Sequence, residues 1–352
     1  MYRASRMTLR VGIGLFTGQI PQGSSRTFAR EYRETIELVR LAEALGFDSA
    51  WVSEHHGASD GYLPSLLPML AAFAAATDRI GLGTGVILTP LHDPIRLAED
   101  AAVVDQISEG RLTLGLGIAW RPEEFRMFGV PFGERLARTT DTVEILRRAW
   151  SGERFSFRGD VYDYDRVRVT PPPARPGGPP ILLGGYVEAA MRRAGRIGDG
   201  HITDADDLEA VGTAAALMED GARAAGRDPS SLTLAIMQNV FVADEGTDAW
   251  ALAREGVSHQ WGAYTAWDEG DDTPDRDALE PRGVTDDEMR AGTPAGTPEE
   301  ILRTLRPKVE RLAEGRTLDL IVRLHYPGMD LDTATRAVEL FGERVLPALK
   351  GN

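Results

Sequence analysis

The stretch IGLGTGVILTPLHDPIRLAEDAAVVDQISEGRLTLGLG, residues 80–117, contains one complete unit of the fold. Its first apolar, glycine-containing run (80–88) predicts a buried strand, and the run from Pro94 to Ile107, which begins with proline, predicts a helix. A second apolar run (112–117) predicts the next strand. Strand, helix and strand in this order give parallel strands joined by a right-handed crossover. The unit therefore indicates an α/β protein.

The same alternation continues through most of the 352 residues. Eight strands are predicted, at residues 10–16, 49–53, 80–88, 112–117, 181–183, 200–202, 232–242 and 318–325. Eight helices are predicted between and after them, at residues 28–45, 63–76, 94–107, 134–150, 188–196, 208–225, 248–259 and 332–345. Eight such units favour one (β/α)8 barrel (TIM-barrel type) with insertions, spanning residues 1–352 and carrying its site on the loops after the strands.

A doubly wound open sheet is the alternative architecture. It would place a GxGxxG fingerprint directly after the first strand. Gly12, Gly14 and Gly18 lie there, but one residue too many separates the last two. The barrel is therefore preferred.

Two segments interrupt the alternation. Residues 153–180 predict a hairpin that runs into the proline-rich stretch PPPARPGGPP, and residues 264–297 predict an acidic insertion. Within the latter, residues 268–290 hold ten acidic side chains and three arginines, a net charge of −7. Such a composition is typical of a solvated, mobile loop. Its place between the seventh and eighth strands also fits a lid over the barrel mouth.

Composition excludes several classes of protein. Without cysteine, the chain has no disulfide, zinc–thiolate cluster, iron–sulfur centre or cysteine nucleophile. Lys308 and Lys350 are the two lysines, and neither position suits a Schiff base at a strand end. The net charge of −15 argues against nucleic acid as a partner. No apolar run is long enough for a signal sequence or a membrane span, so we expect a cytoplasmic protein.

The tripeptide Glu54-His55-His56 directly follows the second predicted strand, where a barrel places catalytic groups. Adjacent residues of a strand point to opposite sides, so at most one of the two histidines faces the barrel interior. The four other histidines show no HxH or HExxH spacing. We therefore predict no metal site.

Three glycine clusters stand at predicted strand ends, at residues 81–85, 115–117 and 184–185. Glycine lets backbone approach a flat ring or a phosphate closely. The third cluster precedes a predicted helix, whose first N–H groups could hold a phosphate. Together the clusters outline a site for a phosphorylated planar cofactor.

At these residues the chain resembles the bacterial luciferase-like flavin monooxygenases. The resemblance covers residues 11–349 apart from the acidic segment. It is carried by AEALGFDSAWVSEHH (42–56), the stretch 80–117, AWRPEEFRMFGVPFGER (119–135), GTPEEILRTL (296–305) and LFGERVLPAL (340–349). The family fold is a (β/α)8 barrel.

The resemblance also implies roles for individual residues. His55, the first histidine of the family's EHH motif, would be the catalytic residue. Gly85 and Val86 would be joined by a cis peptide bond beneath the flavin ring. The remaining cofactor-binding positions are Gly117, Ile118 and Ala119 beside the flavin, and Gly184, Gly185 and Tyr186 at the FMN phosphate.

The chain departs from bacterial luciferase after the fourth strand. Gly117 stands where that enzyme has a cysteine, and Ile118 where it has an arginine that binds the phosphate. Light emission is therefore not expected. Arg192 or Arg193 of the next helix would be the replacement donors to the phosphate.

The chemistry implied by the resemblance uses reduced FMN supplied by a separate flavin reductase. Its reaction with O₂ gives a flavin 4a-hydroperoxide, which His55 protects and which oxygenates a small organic substrate. The main alternative is a deazaflavin oxidoreductase that transfers hydride with coenzyme F-420, and a second is a non-enzymatic flavin-binding protein. We expect a homodimer.

Overall fold

The computed structural model describes residues 8–268 and 281–351. Eight parallel strands close a barrel in the order β1-β12-β9-β8-β7-β4-β3-β2, which confirms the predicted (β/α)8 fold. In chain order the strands are β1 (Thr8–Phe16), β2 (Ser49–Val52), β3 (Gly81–Leu88), β4 (Leu112–Gly117), β5 (Phe155–Arg158), β6 (Asp163–Val167), β7 (Ile181–Gly184), β8 (Gly200–Thr203), β9 (Thr233–Asn239), β10 (Phe241–Val242), β11 (Ala295–Gly296) and β12 (Thr317–Arg323).

The helices surround this barrel. They are α1 (Phe28–Ala44), α2 (Leu66–Ala76), α3 (Pro94–Ile107), α4 (Pro122–Phe128), α5 (Arg135–Ala149), α6 (Glu188–Ile197), α7 (Leu208–Ala224), α8 (Ala249–Asp268), α9 (Asp286–Ala291), α10 (Pro298–Leu312), α11 (Leu331–Leu340) and α12 (Leu346–Lys350). Among the described residues, none of these helices has the length and apolar character that crossing a bilayer requires.

Two apolar cores hold the barrel together. The larger lies between the strands and the helices. The smaller fills the barrel interior with five buried side chains, namely Trp51, Leu182, Ile202, Ala235 and Ile321. A Cβ atom on Gly83 would lie 2.3 Å from the ring of Trp51, so glycine at this position makes room for the largest interior side chain. Side chains thus fill the barrel below its mouth, so a ligand that enters from the carboxyl ends of the strands lies above them.

The local signals explain where the helices start. Asp93 accepts hydrogen bonds from the backbone N–H groups of Ile95 and Arg96, and Pro94 occupies the first helical position of α3. Thr297 and Glu300 form a reciprocal capping box at the start of α10. These caps fix the direction in which each helix returns along the barrel.

The segments outside the regular alternation have structure of their own. β5 and β6 pair antiparallel within the 153–180 segment. In the 264–297 segment, α8 continues to Asp268 and α9 begins at Asp286, so both ends of the acidic stretch are helical. The expected loop or lid over residues 268–290 otherwise falls largely on residues 269–280, which lie outside the described residues.

Some predicted helix boundaries are wrong. The seventh helix does not end at residue 259 but runs on to Asp268, because Tyr264 and Trp267 of its last turns pack against Tyr62. The last predicted helix is regular only to Leu340, after which the backbone forms a π-helical turn before α12. Helices α4 and α10 were not predicted as separate elements.

Candidate active site

A cavity of about 620 Å³ opens at the carboxyl ends of the barrel strands. Every site residue predicted from the sequence lines it, namely His55, Gly85, Val86, Gly117, Ile118, Ala119, Gly184, Gly185 and Tyr186. Its volume falls within the range of roughly 300–1,000 Å³ that is usual for small-molecule sites. The fold therefore brings together residues that lie up to about 130 positions apart in the sequence.

The floor of the cavity is formed where β3 ends. The Gly85–Val86 peptide bond is cis, as predicted, and a second cis bond that was not predicted joins Gly14 to Leu15. A Cβ atom on Gly85 would lie 2.6 Å from Leu15 Cδ2, and one on Gly117 would lie 2.6 Å from Val86 Cγ2. A side chain at either glycine would thus crowd an apolar side chain of the floor, and glycine at both positions leaves room above it for a ligand.

The loop after β4 forms the next wall. Gly117 and Ile118 lead into Ala119, which takes a left-handed backbone conformation (φ 54°) that is uncommon for alanine. Trp120 follows and lines the cavity. Local strain of this kind persists where the surroundings enforce it, often at binding sites.

Gly184, Gly185 and Tyr186 form the loop between β7 and α6. Gly185 has φ +142°, a conformation that strongly favours glycine, and a Cβ atom there would lie 2.6 Å from Ala190 Cβ. The free N–H groups at the start of the ten-residue helix α6 point toward this loop, as an anion site at a helix N-terminus requires. Tyr186 is exposed at the rim, where its hydroxyl donates to Asp204 Oδ1 at 2.7 Å.

The two arginines expected to assist a phosphate do not lie among the residues that line the cavity. Arg192 pairs with Glu188 at 2.8 Å and with Asp220 of α7 at 3.4 Å. Arg193 is itself a residue of α6 and is buried. The structure therefore does not support that expectation, since neither arginine is part of the cavity lining.

His55 lies at the centre of the cavity's aromatic wall and is 4% exposed. Its Nδ1 lies 2.9 Å from Glu124 Oε1, and the same oxygen accepts the backbone N–H of His56 at 2.9 Å. Because a carboxylate can only accept, Nδ1 carries the hydrogen and Nε2 remains available for other partners. The ring centroids of four aromatic residues lie 4.8–6.2 Å from that of His55, those of Tyr62, Trp120, Tyr264 and Trp267.

His56 faces a different environment. Its Nε2 lies 2.7 Å from Glu54 Oε1, and His92 Nε2 lies 2.8 Å from the same oxygen. Burial alone would raise the pKa of Glu54, but the charge of His92 and hydrogen bonds from His56 and His92 lower it to about 2. Burial lowers the pKa of His92, and the neighbouring Glu54 raises it. The combined effect of Glu54 is larger, so the pKa of His92 lies above its usual value.

The cluster of Glu54, His56 and His92 was not predicted, because His92 comes from the loop after β3 and the other two come from the loop after β2. Its three ligand atoms lie within 4.8 Å of one another, which is close enough to surround a cation. Both histidine Nε2 atoms instead lie at hydrogen-bond distance from one carboxylate oxygen. A metal ion would have to replace the hydrogen that each histidine Nε2 shares with Glu54 Oε1. The geometry is therefore that of a hydrogen-bonded cluster.

The sequence reasoning also missed Glu124, Tyr62, Tyr264 and Arg323. Glu124 lies within the motif AWRPEEF, but its position in the sequence does not predict that its side chain contacts His55. Arg323 is the last residue of β12 and lines the cavity. A charged residue at the end of an apolar barrel strand was the available signal for it.

Comparisons with known proteins agree with this geometry. Residues 9–315 match the family described as luciferase-like monooxygenase. The F420-dependent glucose-6-phosphate dehydrogenase of Nakamurella multipartita is 32% identical over 345 residues, which cover 90% of this chain and 92% of that protein. The structure of monooxygenase RslO1 from Streptomyces bottropensis has a TM-score of 0.83 and 27% identity, with 96% of this chain and 99% of that chain covered.

A third similarity concerns the fold alone. The oxygenating constituent of the 3,6-diketocamphane monooxygenase from Pseudomonas putida, whose structure contains FMN, has a TM-score of 0.75 at 22% identity, with 97% of this chain and 98% of that chain covered. Of these proteins, one is named for its dependence on F420 and one has a structure that contains FMN. Since the family match covers most of the sequence and the closed barrel agrees with it, the chain belongs to the luciferase-like monooxygenase family and is an oxidoreductase of the flavin or deazaflavin kind.

Proposed function

We propose that the chain is a monooxygenase that uses reduced FMN and O₂ to oxygenate a small organic substrate. The observation that carries the proposal is the placement of His55. Its ring is buried in an aromatic wall, is oriented by Glu124, and lines the same cavity as the glycine floor. A proton donor and acceptor that is shielded from water is what oxygen insertion by a flavin requires.

The residues present fit FMN. Gly184 and Gly185, with the first N–H groups of α6, would hold the phosphate, and Gly85 with Val86 would support the ring. Bound reduced FMN supplies the electrons that activate O₂. His55 would hold or move a proton at Nε2, while Glu124 fixes the ring through Nδ1. The surrounding aromatic side chains exclude water from that nitrogen.

A deazaflavin oxidoreductase is the second candidate, favoured by the 32% identity to an F420-dependent dehydrogenase. Coenzyme F-420 carries an oligoglutamate tail beyond its phosphate. Asp204 and Asp206 line the cavity next to the phosphate loop, and Glu188 begins the following helix. A polyanionic tail would meet this acidic rim, so the rim favours the shorter FMN.

The experiment that tests the proposal is a parallel titration of the cofactor-free protein with FMN and with F-420, followed by fluorescence. We expect FMN to bind at least tenfold more tightly. The reduced FMN complex should then consume O₂. Tighter binding of F-420, or reduction of F-420 that is independent of oxygen, would assign the chain to the dehydrogenases instead.

Two expectations about partners stay predictions. A separate reductase is expected to supply the reduced flavin, since no dinucleotide fingerprint follows β1. Pairing of two copies into a homodimer is likewise a prediction, and sedimentation of the purified protein would test it.

A further inference from the structure

The wall of the cavity formed by β12 carries a cation that pairs with no carboxylate among the described residues. Arg323 is 4% exposed and lines the cavity. Its Nε and Nη1 atoms are buried and have no hydrogen-bond partner among residues 8–268 and 281–351. A guanidinium cannot lose its charge in a protein, so burial without a partner is costly.

The acidic residues that line the cavity have other partners. Glu54 accepts hydrogen bonds from His56 and His92, and Asp204 accepts one from Tyr186. Asp206 accepts one from Gln238 at 2.8 Å and lies 3.7 Å from Lys308. No carboxylate of the described lining therefore neutralises Arg323. An acceptor that arrives with a ligand would complete its hydrogen bonds.

Arg323 lies on the side of the cavity toward His55. In the barrel order only β1 separates β12 from β2, the strand before His55, whereas β9 and β8 separate β12 from β7 and the phosphate loop. The phenol groups of Tyr62 and Tyr264 lie 3.1 Å apart on this side. Burial raises the pKa of Tyr264 well above its usual range, and the nearby charge of Arg323 offsets part of that rise.

A second unpartnered group lies on the neighbouring helix. Gln260 of α8 also lines the cavity, and its Oε1 atom is buried without a hydrogen-bond partner among the described residues. The β12 side thus holds a cation, two phenols and an amide, close to otherwise apolar and aromatic lining. The unused donors of the guanidinium suit a ligand with an apolar body and one anionic oxygen group, whereas Gln260 Oε1 can only accept and would take a hydrogen bond from a donor elsewhere on the ligand.

We propose that Arg323 binds a carboxylate, or an equally anionic oxygen, on the organic substrate, so that the substrate class is an apolar or aromatic acid. The inference rests on the proposed function, because it assigns the phosphate of FMN to the Gly184–Gly185 loop. The guanidinium would anchor the anionic end, with the apolar body directed toward His55 and the glycine floor.

The test uses 2-naphthoate as the probe and 2-naphthamide as its uncharged equivalent. Both are titrated calorimetrically into the FMN-loaded and the FMN-free protein. We expect 2-naphthoate to bind about 10- to 100-fold more tightly than 2-naphthamide, as a charge-assisted hydrogen-bonded pair predicts. Arg323→Met should abolish this preference, and Arg323→Lys should restore part of it.

The matched control is Arg135→Met. Arg135 also lines the cavity, but its guanidinium stacks on Phe132 at 4.0 Å and donates to the Phe132 carbonyl. This variant should keep the wild-type preference. The melting temperature of each variant provides a second measurement, because replacing an unpaired buried cation by an apolar side chain should not lower it.

Three outcomes would overturn the proposal. Equal affinity of the wild type for the two probes would show that no anion site exists. An Arg323→Met protein that keeps the preference would place the site elsewhere. Weaker FMN binding by Arg323→Met, with the preference intact, would assign the guanidinium to the cofactor. Failure of the proposed function is distinguishable, since the wild type would then not bind FMN while the FMN-free titrations still report on Arg323.

Discussion

A cavity of about 620 Å³ lies at each end of the barrel, yet the two cavities differ in the charge and hydrogen bonding of the side chains that line them. At the amino ends of the strands, five arginines and three aspartates line the cavity. Arg10 pairs with Asp319 and Arg147 with Asp199, while Arg111 donates to the backbone carbonyls of three residues, Ala74, Thr77 and Ile80. At the carboxyl ends, aliphatic, aromatic and glycine residues together form most of the lining, and the buried Arg323 lacks such partners among the described residues.

The difference shows that volume does not identify a site. Donors and acceptors satisfy each other at the amino end, so that cavity offers a ligand little that water does not already provide. At the carboxyl end, unpaired donors and acceptors accompany an apolar floor, so a ligand gains hydrogen bonds that the protein alone does not make.

The largest effect is expected at His55. In His55→Ala, reduced FMN mixed with O₂ should return to its oxidised form about 10²-fold faster, with hydrogen peroxide released, because the shielded proton donor is gone. The affinity for FMN should stay within about twofold. Stopped-flow absorbance of the oxidised flavin measures the rate. His56→Ala is the control and should match the wild type, and equal rates in all three proteins would contradict the role of His55.

The next effect concerns the phosphate loop. Gly185→Asp should weaken FMN binding about tenfold more than Gly185→Asn does. Both substitutions impose the same backbone strain at φ +142°, so the difference isolates the added negative charge. Fluorescence titration gives both affinities. Equal affinities would place the phosphate away from this loop.

A pair of equivalent substitutions compares the two ends directly. Arg10→Met leaves the buried carboxyl of Asp319 without its partner, which should cost about 1–3 kcal/mol and lower the Tm by several °C. Arg323→Met should leave the Tm unchanged or raise it. Differential scanning calorimetry measures both. A larger loss from Arg323→Met would mean that Arg323 has a structural role.

The smallest effect is the pH dependence of the cluster around Glu54. Because the folded protein raises the pKa of His92, charged His92 adds stability below its unfolded pKa of about 6.5, and this is lost as the pH rises through the folded value. The measured quantity is the Tm of the wild type minus the Tm of His92→Gln. This difference should be about 1–2 °C larger at pH 6 than at pH 9. An advantage that does not change with pH would contradict this account.

The sequence predicts the barrel well because its signal is local. Each of the eight strand predictions overlaps a barrel strand, since apolar runs bounded by glycine or proline depend on near neighbours alone. Glycines 85, 117 and 185 could likewise be assigned to the cavity, because glycine clusters at strand ends let a cofactor approach the backbone closely and the family resemblance covers the same positions.

The rest of the site depends on contacts between distant segments. The hydrogen bond from His55 to Glu124 joins residues 69 positions apart, and the one between the phenols of Tyr62 and Tyr264 joins residues 202 apart. No spacing rule predicts such pairs. The lack of a partner for Arg323 within the described part of the chain is likewise a property of the whole fold, because it depends on the hydrogen bonds that the nearby carboxylates make with other residues.

The short pairing of β10 with β11 has a consequence for how this family can vary. Phe241 donates to the Pro294 carbonyl at 2.9 Å and Ala243 to Gly296 at 3.0 Å, so the chain that leaves after β10 is joined again at its base before α10 begins. The segment from α8 to α9 therefore begins and ends at the short pairing of β10 with β11. The entropic cost of closing a loop rises only slowly with the length of the loop. Insertions or deletions in this segment can therefore accumulate without disturbing the strand register. Evolution can therefore rebuild this side of the mouth for a new substrate while the catalytic barrel stays the same.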